Sequence, residues 1–470
     1  MHPIQKILFS SIFCCLLISC NNSSSDSCGS AWLGGEIINP KKDYIILSQS
    51  RQVIDTVPLD ENNFFMYQID QVEPGIFFIV HNEYQALFIE PGDSLMLRVN
   101  TIEFDESLFF TGKGADKNNL MMELFLQNEK ESAEMPAMYL LPPPEFEAKL
   151  DSLKQIRAMR FEEFIASKNP SSHFKKIIDA SIKYDNFSKR ELYLSANSRK
   201  KVFGESVEIP ANFLDYRKEV DLGSETLRSF YPYYRYLSYY LDNLAFEEYK
   251  GEEYYNRDSF THNYIKSAMI DSLITNDSLK NSLLRTCANR YFLKAKDEDN
   301  ERKMLDQFLK LSTNKKDHKE IEKLAKATIQ LTPGHKIPNL MLLTAENTVK
   351  DLHSTFNGPT VLYFWSSNSI KHYKKIHTRA SELKSKYPEY NFIGINLDTH
   401  FKKWLKIVKS SGYDELQEYQ FENIDTAEMK LVINSVNKAM IVDGNGMIIN
   451  GNTNIFDLGI ENELLASLNQ

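Results

Sequence analysis

The sequence predicts a multi-domain protein with an N-terminal antiparallel β-sandwich, an α-helical middle region and a C-terminal α/β unit. Three observations carry that reading. Short β-prone runs recur over 31–112, apolar residues recur at helical spacing over 113–330, and strand-like and helix-like segments alternate over 333–470. A length of 470 residues agrees with about three domains at roughly 150 residues each.

The first residues are read as an address. Lys6 precedes an apolar run from Ile7 to Ile18. That run is shorter than the ~20 apolar residues a bilayer requires, so 1–19 reads as a signal peptide. It ends in Leu17-Ile18-Ser19-Cys20, which resembles a bacterial lipobox, and the polar stretch 20–30 that follows reads as a tether. The resemblance implies cleavage before Cys20 and acylation of that residue, making membrane lipid a partner; several acyl chains anchor stably where one does not. Asn21 is not the Asp that favours inner-membrane retention, so the expected address is the periplasmic face of the outer membrane.

In 31–112, the runs Tyr44–Leu47, Phe64–Tyr67, Ile76–Val80 and Ala86–Ile89 are bounded by turn residues such as Asn39-Pro40, Pro74-Gly75 and Pro91-Gly92-Asp93. In 113–330 one apolar stripe is expected through Phe146, Leu150, Leu153, Ile156, Met159, Phe161 and Phe164. Asn169-Pro170 ends it, and Ser171 or Ser172 is placed to cap a next helix carrying Phe174, Ile177, Ile178 and Ile182. The Tyr-rich stretch Tyr231–Tyr254 is read as core and helix-contact residues rather than a stacking platform. Leu331-Thr332-Pro333-Gly334 interrupts the helical period. Strands are then expected at Thr360–Trp365, Tyr390–Asn396 and Lys438–Val442, with Gly444-Asn445-Gly446 turning the last into a hairpin.

Composition excludes several functions. A hydrophobic share of 42% and an aromatic share of 12% argue for packed cores rather than disorder. With 55 Lys+Arg against 64 Asp+Glu and a net charge of −9, the basic face that nucleic acid needs is not expected. Five Cys are too few for a disulfide framework.

The C-terminal order of elements resembles the thioredoxin fold and, more narrowly, the TlpA/ResA-like thioredoxin-family lipoproteins of Bacteroidetes. These carry a β-rich N-terminal domain and a helical region before the thioredoxin unit. The resemblance rests on Pro333–Pro338, Gly358–Trp365, Asn396-Leu397-Asp398 and Val442–Gly446, with lesser matches at Pro91–Leu95 and Gly112–Asn118. An active member follows Phe-Trp with Cys-x-x-Cys at a helix start, where the first thiol is exposed as thiolate. Here Ser369 stands at the nucleophile's position and His372 at the resolving one. A Ser hydroxyl forms no S–S bond, so dithiol exchange at this motif is excluded. The family's cis-Pro falls at Asn437, and a non-proline cis bond costs about 2.5–4 kcal/mol, so a trans bond is expected there.

The expected function is therefore a lipid-anchored protein with a redox-inactive thioredoxin-like domain, serving as a protein-binding or accessory subunit without cofactor or metal. His372 and His377 are five apart, where shared ligation on a helix favours four. Two enzymatic alternatives stand beside it. One is a hydrolytic site at Ser369 and His372, with Ser369 otherwise a helix cap. The other is thiol–disulfide chemistry through Cys28, which could instead pair with Cys287. Asp55-Thr56-Val57 and Asp271-Ser272-Leu273 also resemble a Bacteroidetes O-glycosylation motif.

Overall fold

The computed structural model describes residues 29–49, 52–200, 207–249, 255–295 and 297–468. The expected signal peptide, Cys20 and Cys28 lie outside them. The chain forms two compact units: one ends at Glu129 and adds Lys168–Lys175, and the other comprises Lys130–Ser167 and the chain from Lys176 onward.

The first unit is built from β1 (Gly29–Ile38), β2 (Tyr44–Gln49), β3 (Gln52–Pro58), β4 (Phe64–Val72), β5 (Gly75–His81), β6 (Glu83–Ile89), β7 (Ser94–Asn100), a one-turn α1 (Phe104–Ser107) and β8 (Phe109–Lys113). They make two four-stranded sheets, ordered β4-β1-β7-β8 and β3-β2-β5-β6. Alternate residues of both sheets, among them Leu33, Leu95 and Phe110 with Leu47, Phe77 and Leu87, enter one apolar core. The expectation of a wholly antiparallel arrangement is corrected at one ladder, where β1 and β7 run parallel from Trp32↔Ser94 to Ile38↔Asn100. Parallel neighbours need a long crossover, and the five strands between β1 and β7 supply it. The two lesser matches of the sequence meet here. Lys117 bonds Asp93 at 2.9 Å, while the Asn118 amide closes on Phe88 by accepting from its N–H at 2.8 Å and donating to its carbonyl at 2.9 Å.

The helical region consists of α2 (Ala115–Met138), α3 (Pro143–Lys168), α4 (Ser172–Lys200), α5 (Tyr231–Tyr249), α6 (Phe260–Leu273), α7 (Asp277–Phe292), α8 (Glu298–Leu311) and α9 (Lys315–Ile329). Ser171 caps α4, accepting from the Phe174 N–H at 3.2 Å. The expected α3 stripe is corrected: Phe146, Leu150, Phe161 and Phe164 are buried, but Ile156 and Met159 are 47% and 60% exposed. The buried line runs instead through Arg157, which an apolar count cannot register because its burial depends on acids from α2 and α4. Tyr233, Tyr236 and Tyr249 are core residues of α5.

The C-terminal α/β domain holds β9 (Met341–Leu343), β10 (Val349–Asp351), β11 (Thr360–Trp365), α10 (Ile370–Lys386), β12 (Asn391–Asn396), α11 (Phe401–Ser411), β13 (Glu418–Phe421), α12 (Ile424–Leu431), β14 (Lys438–Val442), β15 (Ile448–Asn454) and α13 (Gly459–Leu468). Its seven strands are ordered β10-β9-β13-β12-β11-β14-β15, with β11, β12 and β13 parallel. Both faces are covered, which is why all six residues of β11 are buried and apolar or neutral. One face packs on α10, α11 and α13. The other packs on α12, with Leu324 and Ala327 of α9 against it, and Leu331, the first residue of the expected break in the helical period, lies with Ile337 in that same core.

Candidate functional site

In a parallel sheet the strand ends nearest the following helices form the natural binding edge. Here that edge is the segment Ser366–Ser369 between β11 and α10, flanked by Asp398 after β12 and by Asn437 before β14. Ser369 has extended backbone and caps α10, its Oγ accepting from the His372 N–H at 3.4 Å. The contact is thus with the backbone of His372, not with its imidazole. The imidazole turns the other way, and its Nε2–H donates to Asn437 Oδ1 at 2.8 Å. His372 and Asn437, 65 apart in sequence and expected at the resolving and cis-Pro positions, are therefore bonded to one another. No peptide bond among the described residues is cis, Asn437 included.

The acid beside the segment serves Ser366 and Ser367 rather than Ser369. Asp398 accepts from Ser366 Oγ at 2.6 Å, the Ser367 N–H at 2.7 Å and Asn396 Nδ2 at 3.0 Å. Burial pushes this carboxyl up, but the bonds from Ser366, Ser367 and Asn396 outweigh it and hold the group below its ordinary range. Gln420 completes the network by donating to Asn396 Oδ1 at 3.1 Å. The result is a pinned loop. It offers no base to Ser369, and a nucleophile without a base within hydrogen-bond reach stays weak.

Beneath this segment lies a polar cluster that the sequence did not reveal. Glu418 on β13 is 2% exposed and accepts from Tyr363 Oη at 2.7 Å, Trp365 Nε1 at 2.9 Å and His377 Nε2 at 3.1 Å. The other ring nitrogen of His377 bonds the Tyr373 carbonyl at 2.6 Å, so both nitrogens face oxygen, and Tyr413 stacks on the ring at 3.7 Å. Burial, and then the Glu418 charge, push the Tyr363 phenol well up. Gly394 makes the room, since a Cβ there would lie 2.3 Å from Glu418 Oε1. The one available signal was a Glu in a short strand, and spacing alone does not show it to be buried. His372 and His377 thus point to different partners, and no group of three or more His, Cys, Asp or Glu among the described residues is arranged to hold a metal.

Cys287 is a buried thiol on α7 with no disulfide partner among the described residues, and it contacts the Asn263 carbonyl at 3.5 Å. Burial pushes it up to about 11, the opposite of a reactive thiolate.

Comparison with known proteins places this geometry. A family model described as thioredoxin-like matches residues 357–448. No curated protein matches the chain. Among solved structures, a domain of a possible thiol-disulfide isomerase from Cytophaga hutchinsonii is 19% identical, over 30% of this chain and 95% of that one, with a TM-score of 0.26. The thioredoxin domain of a thiol-disulfide oxidoreductase from Bacteroides vulgatus is 13% identical, over 30% and 96%, with a TM-score of 0.24. A thiol:disulfide interchange protein from a Bacteroides species is 15% identical, over 26% and 81%, with a TM-score of 0.22. The C-terminal domain is thioredoxin-like.

Proposed function

We propose that the chain is a lipoprotein of the TlpA/ResA-like type, anchored through Cys20 to the periplasmic face of the outer membrane, whose thioredoxin-like domain has left redox chemistry and binds a protein partner. The observation that carries this reading is the bond between His372 and Asn437, which joins two substituted positions of the redox edge. With Ser369 holding the helix start, all three residues have structural employment where an oxidoreductase would keep a reactive pair free. Function belongs to sites rather than to folds, and a groove edge without a nucleophile remains a binding surface. Its rim bears exposed apolar residues, Ile370 at 61% and Val436 at 36%. The two-sheet N-terminal unit, read as a sandwich, follows the tether in sequence.

The test has two parts. Insulin reduction by dithiothreitol should proceed at the blank rate with the purified chain, and robust reductase activity would overturn the reading. Affinity purification from outer membranes in mild detergent should return a stoichiometric protein that is lost with Ile370→Asp. A partner that survives this substitution would move the binding surface elsewhere in the chain.

A further inference from the structure

The β4-β1-β7-β8 sheet has a second face that the core does not use. Inward residues such as Leu33, Leu95 and Phe110 are buried, so their neighbours in sequence point outward. The ladder aligns these outward residues in rows. Trp32 lies between Gln68 and Ser94, Gly34 between Met66 and Met96, and the Glu36–Arg98 pair between Phe64 and Phe109. Trp32, Phe64, Met66 and Phe109 are 44%, 41%, 53% and 58% exposed. Met66 lies flat across the sheet because Gly34 has no side chain; a Cβ there would sit 2.9 Å from Met66 Sδ. The acid and base at the centre, Glu36 and Arg98, neutralise one another at 2.9 Å. Four large apolar side chains on one sheet face are more than the scattered exposure of an ordinary surface.

What covers this face follows from where the chain enters it. β1 begins at Gly29, nine residues after Cys20, and Trp32 is the fourth residue of the strand. Even fully extended, nine residues reach only about 30 Å, the thickness of a bilayer's hydrocarbon core. A surface tied that closely to lipid, carrying an indole, a thioether and two phenyl rings, with its central acid Glu36 paired to Arg98 and Asp70 near its end held by Gln68, has the chemistry of a membrane-interface patch. We propose that the outer face of this sheet, through Trp32, Phe64, Met66 and Phe109, rests in the headgroup region of the bilayer to which Cys20 is anchored. This rests on the lipid-anchor reading.

Trp32 is a built-in reporter, because the other two of the three Trp, Trp365 and Trp404, are 0% exposed. The full chain is purified from membranes in detergent and reconstituted into phosphatidylethanolamine/phosphatidylglycerol vesicles with or without brominated acyl chains. Intact mass and vesicle flotation report the anchor; Trp emission reports the face. The expected result is an acylated, floating protein whose emission shifts to the blue and is quenched by brominated lipid. That quenching should be lost in Trp32→Phe and reduced in the Met66→Gln/Phe109→Gln double variant. An acylated, floating chain with unquenched Trp32 would overturn the face assignment and leave the anchor standing. An unacylated Cys20 would remove both. Protection of Trp32 in native outer membranes but not in lipid vesicles would assign the face to a protein and overturn the proposal.

Discussion

The helical region and the thioredoxin-like sheet both bury charged groups, and they satisfy them in different ways. Among the helices, two clusters of acids meet cations. Lys189 bonds Glu131 at 2.7 Å and Asp185 at 2.8 Å, with Arg157 pairing the same two acids and Arg235 joining Asp185 at 2.7 Å. Asp242 is ringed by Lys266 at 2.6 Å, His262 at 3.0 Å and Arg257. In the sheet, Glu418 has one His and two neutral donors, and Lys438 has no carboxylate partner among the described residues, bonding instead to the Leu431 and Val432 carbonyls at 2.8 and 3.0 Å. The cause is geometric. Long side chains from several helices converge on one point, whereas a strand covered on both faces meets its own neighbours and single groups of the covering helices, His377 of α10 for Glu418 and the end of α12 for Lys438. The charge of the Asp185 and Asp242 clusters is thus met by countercharge, whereas Glu418 and Lys438 in the sheet are met by His377, neutral donors and carbonyls; Glu301 on α8, fully buried and bonded to Thr328, shows that a helix too can bury a carboxyl on a neutral donor.

The largest effect should come from breaking an ion cluster. Asp242→Asn strands three basic groups inside the helices and should cost about 3–5 kcal/mol in denaturant unfolding at pH 7. Burial pushes the Asp242 carboxyl up, but Lys266, His262 and Arg257 override it and hold it well below 3.8. A depressed acid contributes stability above its unfolded value, so this contribution should begin to fade as the pH drops below about 3.8, and wild type and variant should converge only as the pH falls through the much lower folded-state value. Persisting separation in acid would show that packing, not charge, carries the site.

Next in size is Glu418→Gln. One amide oxygen replaces two carboxylate oxygens, so a donor among Tyr363, Trp365 and His377 must face an NH2 group; a loss of about 2–3 kcal/mol is expected from thermal or urea unfolding. A loss as large as that of Asp242→Asn would mean that the sheet's acid depends on charge as the helices' acids do.

Lys438 sharpens the contrast through pH. Burial pulls its amine down from 10.5 to about 7. Between those values the unfolded chain holds a proton that the folded chain lacks, so stability rises with pH across that window, and the cost of the buried charge is present in full below 7. Wild type should gain about 2 kcal/mol between pH 7 and 9 relative to Lys438→Met. Parallel pH profiles for the two proteins would show that the amine is neutralised some other way.

The same contrast explains what could be read in advance. Periodicity and turn chemistry located the Phe64, Ile76 and Ala86 strands and the β11–α10–β12 order, because burial there follows apolar residues. It missed β3, whose seven residues are exposed but for Val57, and β13, whose Glu418 and Gln420 are buried polar groups. It misplaced the α3 stripe for the same reason, since Arg157 is buried by partners from other helices. At the edge of the sheet, Ser369, His372 and Asn437 each stood out by their type. That two of them bond each other was hidden, because only the pairing of β11 with β14 brings residues 65 apart together.

The smallest effect tests that edge directly. If Ser369 is a cap and nothing more, Ser369→Ala removes one acceptor at the start of α10 and should cost about 0.5–1 kcal/mol, low in the capping range because the bond to the His372 N–H is long at 3.4 Å. Ser369→Asp should restore or exceed wild-type stability, since Asp caps as well as Ser and adds a negative charge at a helix N-terminus. A nucleophile would give the opposite pattern, with both substitutions abolishing turnover of an activated ester regardless of stability. Thermal unfolding and ester hydrolysis measured on the same two variants separate a residue that holds the helix from one that does chemistry.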